Sequence, residues 1–244
     1  GCELDGHSFG NLFITALGAV TGSFERAILE AGRVLAIQGR ILPATLENVT
    51  LVADLREGAG PEDNRPGLTR VLGESSIPKA GHPIERVFIR PEDARAYPEA
   101  VRAILDAHLI VAGPGSLFTS VLPNLLVGDI RRAVAASSAL KLYVCNVATQ
   151  PGETDGFDVG QHVAALQRHV GETLFPYVIA NSDPIPSSEG APTVPVDPHF
   201  VPSPTYRVIA ASLADPETPW RHHPGKLATR IMDFYYAELP RVLT

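Results

Sequence analysis

The sequence is poor in cysteine, in positive charge and in long apolar runs. Its 244 residues include two cysteines, Cys2 and Cys145, too few for a disulfide framework, which favours a reducing cytoplasm. Twenty Lys and Arg face 27 Asp and Glu, a net charge of −7, so the chain lacks the basic field of a general nucleic-acid binder. The longest apolar stretches, such as residues 12–20, fall short of the roughly 18 residues of a membrane span. We therefore expect a cytoplasmic protein with no span and no nucleic-acid partner.

What the chain does contain is enough apolar material for a core. Hydrophobic residues make up 45% of the sequence and charged residues 19%, which argues against disorder. The length allows one large domain or two small ones. Residues 183–204 are dense in Pro and Ser and predict a loop rather than a domain linker. Composition and length therefore leave one domain or two open.

The first part of the chain predicts two helices and a strand. Residues 8–38 read as the helices, with Ser8 and Ser23 as N-caps, because the second stretch repeats apolar residues every three or four positions. That apolar face consists of Phe24, Ala27, Ile28, Ala31 and Leu35. Residues 49–55 predict a strand, and the charged, turn-rich residues 56–70 after it predict a hairpin tip or an insertion.

The later part alternates short apolar strands with helices. Strands are predicted at 87–89, 109–112, 140–147, 177–180 and 206–210, and helices at 98–107, from 117 onward, and at 129–136, 158–169 and 226–239. Near-continuous apolar strands separated by helices indicate a parallel sheet that is covered on both faces. The predicted fold is a Rossmann-like α/β three-layer sandwich with a mostly parallel sheet.

The turn after the strand at 109–112 is the first candidate binding site. Glycines let the backbone approach a ligand, and a helix N-terminus with nearby hydroxyls suits a phosphate. The alternative is a plain turn in which Ser116 caps the helix, since one Gly-rich turn is a weak signal. The candidate ligand contacts in this loop are Gly113, Pro114, Gly115, Ser116, Thr119 and Ser120.

Two further loops should share that edge of the sheet, where ligands bind in open α/β folds. Residues 146–154 offer Asn146, Thr149 and Gln150 for hydrogen bonds to a sugar or base, although a simple turn before a helix is the alternative. Asn181 follows the strand at 177–180 and either contacts a ligand or forms an Asx turn.

The segment 220–226 gathers local positive charge in an acidic chain. Arg221 can hold a pyrophosphate through two parallel hydrogen bonds, while His222 and His223 are more typical of surface or capping groups. Neither pairs with a Cys or an acidic residue at zinc-site spacing, so no metal site is assigned. His7 precedes the first helix and is a candidate base or anion contact, with capping or packing as the alternative. The residues alone indicate a nucleotide- or phosphate-binding protein and no reaction.

Long ordered motifs resemble the YvcK group of the CofD-like family, also called gluconeogenesis factors. The resemblance runs from Gly6 to about Asn181 and returns at Arg221 and His222. It rests on residues 6–12, 34–35, 41–45, 49–51, 73–75, 113–126, 144–146 and 149–154. His7 and Asn11 belong to the first of these motifs, and both join the candidate ligand contacts.

The resemblance implies a cytoplasmic protein that binds UDP-sugars and influences carbon metabolism, cell-wall synthesis and cell shape, with no settled catalytic activity. A non-enzymatic, regulatory role is the default. It implies no required cofactor, and a homo-oligomer stays an open alternative. The alternative function is that of the related CofD enzymes, which are 2-phospho-L-lactate transferases of coenzyme F420 biosynthesis and use Mg²⁺. A purely structural, partner-binding protein is a third reading.

This sequence departs from the family at its start. Family members begin with a strand and a Gly-Gly-Gly-Thr-Gly phosphate loop, followed by an Asp-Asp-Gly-Gly segment, and neither occurs here. We therefore expect residues 1–244 to be a single CofD-like α/β domain that is N-terminally truncated relative to the family. In the transferases that region supplies the acidic groups expected to hold the metal, so no catalytic residue is assigned.

Overall fold

Two helices open the part of the chain that the structure describes. The computed structural model describes residues 9–57, 67–171, 174–183, 194 and 205–242, which leaves Ser8 outside. Helix α1 spans Phe9–Thr21 and α2 spans Phe24–Val34. Ser23 caps α2 as predicted, since its hydroxyl oxygen accepts a hydrogen bond from the Arg26 N–H at 3.4 Å. Ala27, Ile28 and Ala31 are buried.

The predicted apolar face of α2 was too long, because the first and last of its residues are not buried. Phe24 and Leu35 are exposed. Phe24 is the first residue of the helix, and Leu35 lies just beyond its last residue, Val34, so neither reaches the core that the middle of the helix covers.

A three-stranded antiparallel sheet follows. It contains β1 (Thr50–Arg56), β2 (Leu68–Leu72) and β3 (Ile84–Arg90), in the order β2-β1-β3. Strands β1 and β2 are consecutive and pair antiparallel, which agrees with a hairpin rather than an insertion. The predicted connection 56–70 was too long, because Arg56 belongs to β1 and residues 68–70 to β2, and residues 58–66 lie outside the described part. Strand β2 was not predicted, because its residues follow a run of charged and turn-forming ones.

The predicted parallel sheet is confirmed. Helix α3 (Pro98–Leu105) begins on a proline and leads into β4 (Leu109–Ala112). One π-helical turn, Leu117–Val121, joins α4 (Leu122–Leu126), so the helix predicted from Leu117 does not start as a regular α-helix. Then come α5 (Gly128–Ala136), β5 (Leu140–Val144), α6 (Val159–Val170), β6 (Tyr177–Asn181), β7 (Arg207–Ala211) and α7 (Pro224–Val242). All neighbours in the order β4-β5-β6-β7 are parallel.

Strand β5 ends three residues earlier than predicted. Its neighbour β4 ends at Ala112, which lies opposite Tyr143. Beyond that point one side of β5 has no partner strand, and Asn146 turns to the loop after β4 instead.

The parallel sheet is covered on both faces, which gives the three layers. Leu142 and Ile179 pack with Leu227 and Phe234 of α7. On the opposite face, alternate residues such as Tyr143 pack in a larger core, because side chains of a strand alternate between its faces. That core is shared with helices α4, α5 and α6 and with the inner face of the antiparallel sheet.

Helix α6 begins at a complete capping box. The Asp158 side chain accepts from the Gln161 N–H at 2.6 Å, and the Gln161 side chain accepts from the Asp158 N–H at 2.8 Å. This pair satisfies backbone donors that a helix start leaves unbonded. The predicted start of the helix at residue 158 is thus one residue early, at the cap.

Cys145 is fully buried, and burial raises the pKa of its thiol to about 12. A thiol that stays protonated is a poor nucleophile, which confirms core packing as its role. No single helix in the described part of the chain combines the length and apolar content of a membrane span; α1 and α2 reach that length only as a pair bent by 118°.

Candidate functional site

A cleft of about 490 Å³ opens beyond the ends of β4 and β5. It is formed by the loop after β4, the loop after β5 and the segment that precedes α7. Ligands of open α/β sheets bind at this edge, outside the carboxyl ends of the strands. The lining residues are Pro114, Gly115, residues 146–151, Trp220, Arg221 and His222.

Gly113 sets how closely the first loop approaches β5. Its φ is +85°, in the left-handed region, and a Cβ at this position would lie 2.9 Å from the Val144 carbonyl oxygen. Only glycine satisfies both conditions without strain. Gly113 therefore shapes the cleft through the backbone, and the peptide bond to Pro114 is cis.

Two side-chain amides tie the first loop to the second. The Gly115 N–H donates to Asn146 Oδ1 at 3.3 Å, and Asn146 Nδ2 donates to Gln150 Oε1 at 3.1 Å. Gln150 Nε2 in turn donates to Ser116 Oγ at 2.8 Å. Each amide nitrogen has a second N–H, so the pair can hold the loops in place and still donate to a ligand.

Behind this network, a buried carboxylate faces the start of the helical segment 117–126. The Thr119 hydroxyl donates to Glu153 Oε1 at 2.9 Å, and both side chains are buried. Burial raises the pKa of Glu153, although the Thr119 hydroxyl and the N–H groups of Phe118 and Thr119 partly offset it. The first N–H groups of this helical segment therefore face a carboxylate of the protein itself, on the inner side of the loop.

Besides Gly113, three residues predicted in these loops lie outside the cleft. Thr119 points inward to Glu153, Ser116 supports Gln150, and Ser120 lines a separate cavity of about 390 Å³ on the other side of the loop. Nothing in their positions tests a ligand contact directly, and those contacts remain predictions.

Asn181 holds the chain after β7. Its Oδ1 accepts from the N–H groups of Leu213 and Ala214 at 3.0 and 3.1 Å, and its Nδ2 donates to the Asp183 carbonyl at 3.0 Å. Both lone pairs of the amide oxygen are thus occupied by backbone donors. Asn181 thus fixes the chain after β7, which leads to the segment that precedes α7 and forms the third wall of the cleft. Its contact with a ligand remains a prediction.

That third wall is a compact turn closed by backbone bonds. The Asp215 N–H donates to the Arg221 carbonyl at 2.9 Å, and the Arg221 N–H donates to the Thr218 carbonyl at 2.8 Å. Asp215 Oδ1 accepts from the N–H groups of Glu217 and Thr218 at 2.8 and 3.0 Å, and these bonds lower the pKa of Asp215. The turn presents Trp220, which is 42% exposed, and Arg221 toward the cleft.

The Arg221 guanidinium is an available cation. Within the described ranges no carboxylate oxygen lies within 4.0 Å of it, and the residue is exposed. An unpaired guanidinium at a cleft edge can take an anionic group bidentately.

The two histidines that follow have different roles. Among the described residues, His222 Nε2 has no hydrogen-bond partner although it is buried. Burial lowers the pKa of His222, and the Cys145 carbonyl only partly offsets this, so the ring is neutral near pH 7. His223 caps α7, because its Nδ1 accepts from the Lys226 N–H at 3.2 Å, which confirms the capping interpretation for this residue.

Two candidate residues near the start of the chain cannot be placed. His7 lies outside the described residues, and Asn11 lies on α1 with its side chain outside the described part. Their predicted ligand contacts remain predictions.

Comparison with known proteins identifies the family. The family model described as 2-phospho-L-lactate transferase CofD matches residues 1–213. The chain belongs to the CofD family. Within it, this CofD-family chain is 43% identical over 186 residues to the gluconeogenesis factor of Bacillus subtilis, covering 76% of this chain and 56% of that protein. It is 42% identical over 206 residues to the gluconeogenesis factor of Halalkalibacterium halodurans, covering 82% and 61%.

A solved structure agrees with this relationship. A crystal structure of a UPF0052-family protein from Bacillus halodurans superposes with a TM-score of 0.80 at 38% identity, covering 95% of this chain and 74% of that one. The CofD-family chain is therefore of the gluconeogenesis-factor type. It spans about half the length of the curated relatives it matches.

Sequence reasoning found most of the cleft but not all of it. Pro114, Gly115, Asn146, Thr149, Gln150 and Arg221 were predicted and line it. Trp220 and His222 line it too but were not predicted as contacts. Their signal was adjacency to Arg221, since a closed turn brings consecutive side chains to one site.

Proposed function

We propose that this chain binds a nucleotide-sugar, specifically a UDP-sugar, in the cleft beyond β4 and β5. The observation that carries the proposal is the guanidinium of Arg221, which has no carboxylate partner among the described residues, beside the exposed indole of Trp220 and facing the amides of Asn146 and Gln150 across one cleft. Its volume of about 490 Å³ lies in the usual range of small-molecule sites, roughly 300–1,000 Å³.

The three walls suit the three parts of such a ligand. The Arg221 guanidinium pairs with the pyrophosphate, since planar guanidinium groups bind phosphate oxygens in pairs. The Trp220 indole stacks on the base, an interaction worth about 1–3 kcal/mol per base. The second N–H of Asn146 and of Gln150 is left for sugar or base oxygens.

The binding acts in regulation rather than in catalysis. The relatives are named gluconeogenesis factors, which supports a role in the control of carbon metabolism; effects on cell-wall synthesis and cell shape follow from the family resemblance. Binding requires no cofactor, and Mg²⁺ belongs to the alternative function.

Isothermal titration calorimetry with UDP-N-acetylglucosamine tests the proposal. Arg221→Ala should weaken binding about 10- to 150-fold, the equivalent of one charged hydrogen-bonded contact of about 1.5–3 kcal/mol, and leave the melting temperature without ligand unchanged because the side chain is exposed. Arg33→Ala is the matched control, since it removes an exposed arginine of α2 and should bind like the parent. Equal affinity of the Arg221 variant and the parent would remove Arg221 from the site.

Phospholactate transfer is the competing function, because the matching family model carries that description. GDP together with a deazaflavin acceptor is its probe. Binding of that pair more tightly than UDP-N-acetylglucosamine would overturn the UDP-sugar proposal in favour of the transferase.

A further inference from the structure

The outer face of the antiparallel sheet combines arginines with exposed leucines. The register places Asp54 opposite both Arg70 and Arg86. On the same face, Leu68 and Leu72 of β2 are 60% and 57% exposed. Arginine is enriched at protein–protein interfaces, and the exposed leucines add apolar area that a partner can bury.

The arginines of this face are held in place. Asp54 is only 3% exposed and accepts from Arg70 Nε at 2.7 Å and from Arg86 Nε at 2.8 Å. The guanidinium carbons of Arg70, Arg86 and Arg90 lie 5.1, 5.2 and 5.6 Å from the centroid of the Phe88 ring. Asp54 therefore bonds two of the three arginines gathered around one ring, and this excess of cations leaves a positive patch on a chain whose net charge is −7.

The same sheet has one open edge. The Gly73 N–H donates to the Leu51 carbonyl at 2.8 Å, and the Glu57 N–H donates to the Gly67 carbonyl at 2.9 Å. In an antiparallel pair, alternate residues of a strand direct their N–H and C=O groups to the partner. Because residues 67 and 73 bond β1, residues 68, 70 and 72 direct these groups away from β1. No other strand in the described ranges pairs with β2. At the far edge, in contrast, an outward donor of β3 is already bonded, because the Val87 N–H donates to His169 Nε2 at 2.9 Å.

We propose that the edge of β2 and the arginine face beside it bind an extended acidic segment of another protein. The segment adds a strand to β2, and every second side chain of the segment lies on the arginine face. Carboxylates there pair with Arg70 and are also attracted by the charges of Arg86 and Arg90. Main-chain bonds supply affinity and side-chain charge supplies selectivity, as in other β-strand additions.

Charge favours this partner over a second copy of the chain. Two β2 strands paired antiparallel about their centres would set Arg70 against Arg70, and like charges directly opposite each other destabilise a strand pair. An acidic strand meets the same position with the opposite sign. The proposal is independent of nucleotide binding, because it uses no residue that lines the cleft.

Amide hydrogen exchange and ¹⁵N chemical shifts with two defined peptides test the proposal. The probes are acetylated nine-residue peptides of alternating Thr and Glu, and of alternating Thr and Lys. The Glu peptide should shift the amide signals of Arg70 and Leu72 and slow their exchange at least several-fold, and the Lys peptide should do neither. Arg90→Gln should weaken binding of the Glu peptide several-fold and leave the hydrogen bonds of Asp54 intact. Arg33→Gln, the control, should not change the affinity for the peptide.

Four results would overturn the proposal. They are equal effects of the two peptides, no effect at millimolar peptide, and shifts confined to Trp220 and Arg221. The fourth is protection of the β2 amides by protein self-association without peptide, which would assign the edge to a second copy. The exchange measurement uses the unmodified chain, so the proposal stays testable even if the Arg90 variant does not fold.

Discussion

Replacing Gly113 with alanine tests whether the loop at the cleft is fixed by backbone contact. Two costs arise in the folded state. A side chain at positive φ costs about 1–2 kcal/mol, and the new Cβ would lie 2.9 Å from the Val144 carbonyl oxygen, an overpacking typically worth about 1–3 kcal/mol. We expect the free energy of unfolding to fall by about 2–5 kcal/mol.

Gly171→Ala separates the two costs. Gly171 has φ +75°, but a Cβ there meets none of the described residues within 4 Å, so this variant carries the backbone cost alone. Both changes affect the unfolded chain in the same way, and the difference between the variants isolates the contact with Val144. Urea unfolding followed by circular dichroism measures both free energies. A difference below about 0.5 kcal/mol, smaller than the overpacking range, would refute the claim that strand β5 holds this loop rigidly.

Two further predictions concern the antiparallel sheet. Asp54→Asn removes the carboxylate shared by Arg70 and Arg86 and should cost about 1.5–3 kcal/mol of unfolding free energy, the range for hydrogen bonds to charged groups; a loss below a few tenths in urea unfolding would contradict it. Burial lowers the pKa of His162 and His169 in the fold, so the unfolded chain binds more protons below its histidine pKa of about 6.5. The contribution of the two histidines to the free energy of unfolding should be fully present above that pH and should decline as the pH falls from about 6.5 toward the lowered pKa values. The decline should be smaller in His169→Gln. A urea midpoint that does not change between pH 7 and pH 5 would exclude buried neutral histidines.

Secondary structure was predictable where local sequence signals are clear. The apolar run at 109–112 coincides with β4 at both of its ends, and Asp158, the first residue of the capping box, marks the start of α6. Strand β2 escaped prediction because its apolar residues Leu68 and Leu72 lie on the exposed face, so the sequence shows no apolar–polar alternation although exposure alternates along the strand. Its place is set by pairing with β1, which is a long-range property.

The candidate site was predictable as an edge of the sheet but not as a set of contacts. From the sequence, all polar residues of the loop at 146–154 could belong to one binding surface. In the structure, Asn146 and Gln150 line the cleft, whereas Glu153 turns inward to Thr119. Asn181 likewise bonds the backbone after β7. Sequence spacing cannot decide which polar side chains of a loop face inward, because that depends on the buried donors they meet.

The most direct test of nucleotide-sugar binding in this cleft is the intrinsic fluorescence of Trp220, the single tryptophan of the chain. Every change in tryptophan emission therefore reports on the cleft wall that carries Arg221. Titration with UDP-N-acetylglucosamine should quench the emission saturably, because a base stacks on the indole, and Arg221→Ala should shift the midpoint to higher ligand concentration. Emission that stays constant while calorimetry detects binding would place the ligand elsewhere and contradict the account.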